Sequence, residues 1–220
     1  MRGQPLAMFA ITGAKGGCGK TTTTLVLARA LVRLGYDPLV VDADCDMPDI
    51  HHRIGLSGSG GVDDIAGGRR IRRVAVESNR LPGVSVVTGG KRANLLPALR
   101  RLGRWHGPVL VDCAAGVSTE SLAPLRCARQ SLVVSTDQPQ CIEDTERTLD
   151  IAHRLSAPPL GVVLRETLPV EQSIPEHWSL LGSVPPVEEP LTSPAVNDEF
   201  VRISRSIAEQ SGCKLSGVPG

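Results

Sequence analysis

The sequence predicts an α/β fold, with a doubly wound, mostly parallel sheet and helices on both of its faces. Short runs rich in Val, Leu and Ile alternate along the chain with segments of helical periodicity. These apolar runs are continuous instead of alternating with polar residues, which is typical of parallel strands buried on both faces. Right-handed crossovers join such strands, so we expect a ligand site at the carboxyl ends of the strands.

The elements follow in order along the chain. The predicted strands are "MFAITG" (8–13), "DPLVVDAD" (37–44), "VSVVTGG" (84–90), "GPVLVDCAAG" (107–116), "SLVVSTD" (131–137), "LGVVLRE" (160–166) and "SLLGSVPP" (179–186). Helical patterns cover residues 21–34, closed by Gly35, and residues 92–102, 118–129, 141–155 and 195–210. The polar stretch 67–80 predicts a short helix with a hairpin edge, not a boundary. We therefore predict one domain over residues 1–220.

The composition is that of an ordinary globular protein. Apolar residues make up 41% and charged residues 21%, and the net charge of +1 argues against a strongly basic nucleic-acid binder. The six cysteines form no CxxC pair, and the N-terminus does not resemble a signal peptide. No apolar run approaches the ~20 residues of a membrane span. We expect a cytoplasmic protein with free thiols.

The segment "AKGGCGKT" (14–21) follows a predicted strand and opens a predicted helix, as a phosphate-binding loop requires. Its glycines allow successive backbone N–H groups to turn towards phosphate oxygens, and the helix adds the positive end of its dipole. We expect Lys20 to pair with the β- and γ-phosphates, Thr21 to bind Mg²⁺ and Thr22 to help with the α-phosphate. The residues expected to form the cradle are Gly16, Gly17, Cys18 and Gly19.

This loop resembles the deviant Walker A motif, KGGxGKT, of the MinD/ParA family of dimerising P-loop ATPases. The resemblance covers residues 10–208 and is closest to MinD-like proteins of archaea and bacteria. It implies ATP and Mg²⁺ as ligands, and a homodimer on ATP binding. Lys15 would then be the family's extra lysine, which reaches across the dimer interface to the nucleotide of the other subunit. Ala14 replaces a glycine of MinD-like members, and ParA-like members also lack glycine at this position.

The segment "VVDADCDMPDIHHRIGL" (40–56) is similar to the family's switch I, in which a DxD pair follows the second strand. Asp42 and Asp44 match that pair, and the resemblance places Asp44 near the attacking water and the metal ion. A carboxylate at a strand end can position water and hold the water ligands of Mg²⁺. Asp49 stands where the family often has asparagine.

The segment "VLVDCAAGVSTESL" (109–122) is similar to switch II, usually DxPAG. The resemblance implies that Asp112 holds Mg²⁺ through water and that Gly116 offers a backbone N–H to the γ-phosphate. Ala114 replaces the usual proline.

The residues expected to contact the adenine base differ from the family's pattern more than the phosphate loop does. Members often have Asn-Arg after the strand that contains "GVVLRE", and here Leu164 and Arg165 occupy those positions. Loss of the amide removes an expected contact to the base, while Pro185 and Pro186 could pack against it. ATP is therefore implied by the family and not by base-reading residues.

Three weaker signals have ordinary interpretations that we prefer. Cys18, Cys45 and Cys113 fall in loops predicted to meet near the phosphates, and small buried side chains explain them better than a metal or redox site. Arginines cluster at residues 69–73 and 100–104, where solvated helix faces are preferred over weak, non-specific DNA binding. The apolar stripe of the last helix predicts packing on the sheet, so we expect no direct membrane insertion.

The favoured hypothesis is a MinD/ParA-like ATPase. It would bind Mg-ATP, close into a dimer, hydrolyse slowly and position a division, chromosomal or surface structure, with an unknown protein partner that activates hydrolysis. Lys15 and Lys20 would neutralise developing phosphoryl charge while Asp44 orients water. Two alternatives remain: an ATP-dependent metabolic or metallocentre-maturation enzyme on the same fold, and a scaffold that binds nucleotide without hydrolysing it.

Overall fold

The computed structural model describes residues 8–13, 15–56, 60–116, 121–167 and 174–211. Its strands form one eight-stranded sheet in the order β3-β4-β2-β5-β1-β6-β7-β8. The strands are β1 (Met8–Thr12), β2 (Leu39–Asp42), β3 (Val76–Ser78), β4 (Leu81–Val87), β5 (Val109–Asp112), β6 (Gln130–Thr136), β7 (Pro159–Arg165) and β8 (Leu180–Val184). All neighbours are parallel except β3, which runs antiparallel to β4.

Helices cover both faces of this sheet. They are α1 (Lys20–Arg33), α2 (Ile50–Arg53), α3 (Val62–Ala66), α4 (Ile71–Val74), α5 (Arg92–Leu102), α6 (Ala123–Cys127), α7 (Pro139–Arg154) and α8 (Pro194–Gln210). Helix α1 packs against α8 on one face, and α3 packs against α5 on the other. The predicted doubly wound α/β fold is confirmed.

Alternate residues of the strands supply the two cores. In β1, Phe9 and Ile11 belong to the apolar core that α1 and α8 cover, while Met8 and Ala10 belong to the core that α3, α5 and α6 cover. The five residues of β1 are all buried. Because both faces are covered, apolar side chains are needed at successive positions, which explains the continuous apolar runs in the sequence.

Every predicted strand is present, and the stretch 67–80 forms α4 and the β3–β4 hairpin as predicted. The short helices α2 and α3 were missed, because four or five residues are too few to show helical periodicity. Of the helix predicted at 118–129, the structure shows α6, and residues 118–120 lie outside the described residues.

The two outer strands of the sheet are short and irregularly paired. The pairing of β3 with β4 shifts register between Glu77 and Ser78. The pairing of β7 with β8 shifts between Val162 and Val163. In the described part of the chain, no helix combines the length and the apolar character needed to cross a membrane.

Candidate functional site

The loop between β1 and α1 is an open cradle. A Cβ on Gly13 would lie 2.5 Å from the carbonyl oxygen of Val134 and 3.0 Å from Cys18 Sγ, so the backbone is tightly packed there. At Gly16 and Gly17, in contrast, a Cβ would meet nothing within 4 Å. Gly17 and Gly19 have φ values of 80° and 96°, which favour glycine. Ala14 lies outside the described residues.

Helix α1 begins at Lys20, and its N-terminus faces this cradle. The N-cap, Gly19, makes no side-chain hydrogen bond, and the first turn holds no acidic residue. The positive end of the dipole is therefore uncompensated by the chain, which suits an anionic ligand. Thr22 lies in the first turn and is half-buried.

Both loop lysines contact protein groups. The Lys20 side chain is buried, and its Nζ donates to the carbonyl oxygen of Lys15 at 3.2 Å. Lys15 is half-buried, and its Nζ donates to Gln140 Oε1, in the first turn of α7, at 3.3 Å. Lys20 thus lies inside the loop, whereas Lys15 lies at its rim.

Asp112, at the end of β5, lies beneath α1. Its Oδ1 accepts a hydrogen bond from Thr24 Oγ1 at 3.2 Å, and the Thr21 side chain also hydrogen-bonds this carboxyl group. Burial raises the pKa of Asp112 to about 6, opposed by the two threonines and by the charge of Lys20. The structure therefore joins Thr21 and Asp112, as predicted for a Mg²⁺ site. The sequence-based prediction did not include Thr24 among the residues of this site. Its position one turn after Lys20 could have indicated it.

Asp42, at the end of β2, is paired in register with Asp112 on the neighbouring strand. It is buried, and its Oδ1 and Oδ2 accept hydrogen bonds from the backbone N–H groups of Asp44 and Ile50 at 3.1 and 3.2 Å. Burial, together with the nearby Asp112 carboxylate, raises the pKa of Asp42 to about 7. Asp42 therefore anchors the loop that follows β2.

Asp44 has a different environment. It is partly exposed, and its Oδ1 accepts hydrogen bonds from the N–H groups of Asp46 and Met47 at 3.2 and 3.0 Å. The hydrogen bonds of this carboxylate in the described residues are all within its own loop. Asp49 forms an ion pair with Arg53 at 2.6 Å, and its charge helps to raise the pKa values of Asp42 and Asp112.

Gly116 follows β5 in a left-handed conformation, with φ of 85°, and a Cβ there would meet nothing within 4 Å. The backbone at this point is open to a ligand, and residues 117–120 lie outside the described residues.

At the other side of the cradle, Arg165 ends β7 and packs on the phosphate loop. A Cβ on Gly19 would lie 2.5 Å from both Cδ and Nη1 of Arg165. Burial lowers the pKa of the half-buried Arg165 guanidinium. Pro185 is exposed and directly follows Val184, which is paired in register with Arg165. Arg165 and Pro185 therefore lie at one edge of the sheet.

The cysteine environments do not favour reactive thiols. Cys18 and Cys113 are buried, and burial raises the pKa of each thiol. For Cys45, burial and the neighbouring aspartates raise the pKa to about 11. Across the ranges that the structure describes, no group of three or more His, Cys, Asp and Glu side chains is arranged to hold a metal ion.

The site therefore combines an open backbone cradle, two lysines, a helix N-terminus and buried carboxylates at one edge of the sheet. Such a combination can hold phosphate groups through N–H donors and cations. The hydroxyl of Thr21 and the carboxylate of Asp112 are hard oxygen ligands of the kind that Mg²⁺ prefers, so these residues fit a magnesium ion.

Comparison with known proteins agrees with this geometry. The family model "CobQ/CobB/MinD/ParA nucleotide binding domain" matches residues 9–188. A putative septum site-determining protein MinD of Chlorella vulgaris is 28% identical in a 154-residue alignment that covers 64% of this chain and 54% of that protein. The septum site-determining protein MinD of Synechocystis sp. is 22% identical in a 213-residue alignment that covers 92% of this chain and 80% of that protein.

Among solved structures, the septum site-determining protein MinD of Pyrococcus horikoshii, complexed with Mg-ADP, superposes with a TM-score of 0.79. The superposition covers 94% of this chain and 98% of that one, at 20% sequence identity. The likeness at this identity establishes a shared fold.

Proposed function

Because the chain belongs to the CobQ/CobB/MinD/ParA nucleotide-binding family, we propose that it is an ATPase switch that binds Mg-ATP and dimerises around the nucleotide. The observation that carries the proposal is the open cradle at Gly16 and Gly17 with Lys20 inside it and Lys15 at its rim. One lysine is enough to hold the phosphates in the subunit's own loop. The second is held at the rim by its hydrogen bond to Gln140 and could exchange that bond for the phosphates of a partner copy.

In this proposal the chain's own residues hold the triphosphate. The backbone N–H groups of residues 16–19 and the N-terminus of α1 contact phosphate oxygens, and Thr22 contacts the α-phosphate. Lys20 exchanges its bond to the Lys15 carbonyl for the β- and γ-phosphates. Gly116 offers its N–H to the γ-phosphate. Pro185 lies at the nucleoside end, and Arg165 lies between Pro185 and the phosphate loop.

Thr21 and Asp112 would hold Mg²⁺, Asp112 through water. The ion, when bound, neutralises charge on the phosphates and offsets the unfavourable proximity of Asp42 and Asp112. For hydrolysis, Asp44 must release the Asp46 and Met47 N–H groups and turn towards the attacking water. Ordering of residues 43–49 by the γ-phosphate is therefore a required step, and it gives slow turnover a structural reason.

The output of the switch would be spatial. Relatives named for septum-site determination support such an output. In this proposal the ATP dimer docks a protein partner, which would also activate hydrolysis. The arginines near α4 and α5 support weak DNA binding at most, since Arg69 pairs with Asp64 and Arg72 lies 5.3 Å over the Trp105 ring. We do not expect direct membrane insertion, since the apolar stripe of α8 packs in the core. We propose one domain and a cytoplasmic location.

The experiment is to measure molecular mass with and without Mg-ATP for the wild type and for Lys15→Ala, Lys20→Ala and Asp44→Ala. We expect an ATP-dependent dimer for the wild type, a persistent dimer for Asp44→Ala and none for Lys20→Ala. Asp46→Ala is a matched control, because Asp46 lies in the same loop but pairs outward with Arg92. A wild type that hydrolyses ATP as a strict monomer would exclude the dimer.

The hydrogen bonds of Asp44 favour a second candidate, a nucleotide-binding scaffold without turnover. In that case ATP would still induce the dimer, but wild type and Asp44→Ala would dissociate equally slowly after excess ADP is added. A faster dissociation of the wild-type dimer supports the ATPase.

A further inference from the structure

Resting on the proposed function, we infer that this site recognises its nucleotide through the phosphates, with Arg165 as an additional phosphate ligand, and does not distinguish adenine from guanine. The inference concerns which purine nucleoside triphosphate the switch takes. It starts from the polar side chains at the carboxyl ends of β7 and β8, which lie next to the phosphate loop.

Each of those side chains except Arg165 makes at least one hydrogen bond to a neighbouring side chain. Glu166 Oε1 accepts a hydrogen bond from Ser183 Oγ at 2.6 Å, and Thr167 donates both its N–H and its hydroxyl to Asp137 Oδ1. Leu164 is buried and has no polar atom in its side chain. Asp137 Oδ2 has no partner in the described residues and is sealed from solvent.

Arg165 is the exception. In the part of the chain that the structure describes, its half-buried guanidinium makes no hydrogen bond or ion pair. Its Cδ and Nη1 contact Gly19, the residue directly before α1, so the charge lies on the phosphate loop. Partial burial of an unpaired cation costs free energy, and a bound anion would offset that cost.

A second guanidinium strengthens the case for an anion. Arg53, at the end of α2, lies near enough that its charge lowers the pKa of Arg165 further. Arg53 is neutralised by Asp49, so Arg165 carries the unpaired charge. A phosphate group fits the planar donors of Arg165, which lie against the residue directly before α1.

The described residues that follow β8 offer the base an apolar surface. Pro185 and Pro186 follow β8, and proline has neither a backbone N–H nor a polar side chain, so they offer an apolar surface that either purine can contact. A site that makes hydrogen bonds to a ligand group rejects analogues without it, and apolar contact discriminates weakly. Among the described residues at the carboxyl ends of β7 and β8, Arg165 is therefore the side chain that offers the nucleotide a polar contact.

The test uses competition against a fluorescent ADP analogue on the full chain with Mg²⁺ present. The competitors are ATP, GTP and inorganic tripolyphosphate, which carries no base. For the wild type we expect the dissociation constants of ATP and GTP to agree within about tenfold. Arg165→Ala should weaken all three competitors by the same factor, about 10- to 100-fold, and Arg165→Lys should recover part of the loss.

Arg154→Ala is the matched control, because Arg154 lies at the far end of α7 in a surface pair with Asp150. It should leave all three constants unchanged, and circular dichroism should show each variant folded. The inference is overturned if Arg165→Ala weakens ATP but not tripolyphosphate, or if the wild type binds ATP more than about 100-fold better than GTP. Failure of the folded wild type to bind any of the three would instead overturn the proposed function.

Discussion

The carboxyl groups of Asp42 and Asp112 end two adjacent parallel strands in register, and neither is exposed to solvent. Burial and mutual repulsion raise the pKa of Asp42 to about 7, and burial raises that of Asp112 to about 6. The native state therefore binds more protons than the unfolded chain between the ordinary carboxyl pKa and these values. The stability from this pair is fully present below the unfolded pKa and is lost as pH rises through the folded values.

Asp42→Asn should remove much of the stability loss at rising pH. Without Mg²⁺, the difference in the free energy of unfolding, variant minus wild type, should increase by roughly 2 kcal/mol from about pH 5 to pH 8. Urea unfolding across this range measures it, and Asp150→Asn, on the surface of α7, is the control. A pH-independent difference would show that Asp42 is not ionised at a cost in the native state. Added Mg²⁺ should flatten the wild-type profile.

Two glycines of the phosphate loop should respond oppositely to alanine. Gly13→Ala introduces a Cβ 2.5 Å from the Val134 carbonyl oxygen and should lower the free energy of unfolding by about 1–3 kcal/mol. At Gly16 a Cβ meets open space, so Gly16→Ala should fold with wild-type stability and lose nucleotide affinity. Thermal unfolding and fluorescent-nucleotide titration separate the two effects. Wild-type affinity in folded Gly16→Ala would argue against phosphate binding in this cradle.

The weak contact between Lys15 and Gln140 predicts that ATP-dependent dimerisation needs Lys15 but does not need Gln140. A 3.3 Å hydrogen bond at an exposed site contributes little, so Gln140→Ala should change the ATP-dependent dimerisation constant by less than about fivefold. Lys15→Ala should abolish the dimer while monomeric nucleotide binding persists. Analytical ultracentrifugation with Mg-ATP measures both. Equal losses in the two variants would assign Lys15 a role inside its own subunit.

Substitution of Gly107, which is distant from the nucleotide site, should have a large effect on stability. A Cβ there would overlap the carbonyl oxygen of Asp37, which also accepts the Trp105 Nε1 hydrogen bond at 2.9 Å. Gly107→Ala should lower the free energy of unfolding by about 2 kcal/mol or more. Gly103→Ala, whose Cβ would come no nearer than 3.9 Å to the Arg100 carbonyl oxygen, should change it little. Similar values in the two variants would contradict the packing.

The exposed arginines predict weak, salt-sensitive DNA binding at most. Arg70, Arg73 and Arg101 are exposed and have no acidic partner in the described chain, unlike Arg69. Fluorescence anisotropy with duplex DNA should show a Kd that weakens at least tenfold from about 50 to 200 mM salt. Charge reversal of the three should remove the signal, whereas Arg202→Glu on α8 should not. Salt-insensitive binding would point away from these arginines.

The part of the site that the sequence predicted is local in the chain. The loop before α1 could be recognised because strand, glycines, lysine, hydroxyl and helix are contiguous. Two contacts could not be predicted, because they depend on which strands become neighbours in the sheet. They are the contact of Thr24 with Asp112 and that of Arg165 with Gly19. The direction of the Asp44 carboxylate was also beyond prediction, since two backbone N–H groups of its own loop compete for it.

The irregular pairing of the outer strands decides how two copies of this chain can meet. An exposed, regular strand would let a second copy add its own strand and extend the sheet. Here β3 is three residues long and bulged, and β8 is displaced in register along β7. Addition of a strand is therefore disfavoured at both margins. Under the proposed function, two copies would instead meet through the loops where phosphates would bind, so that assembly would depend on the ligand.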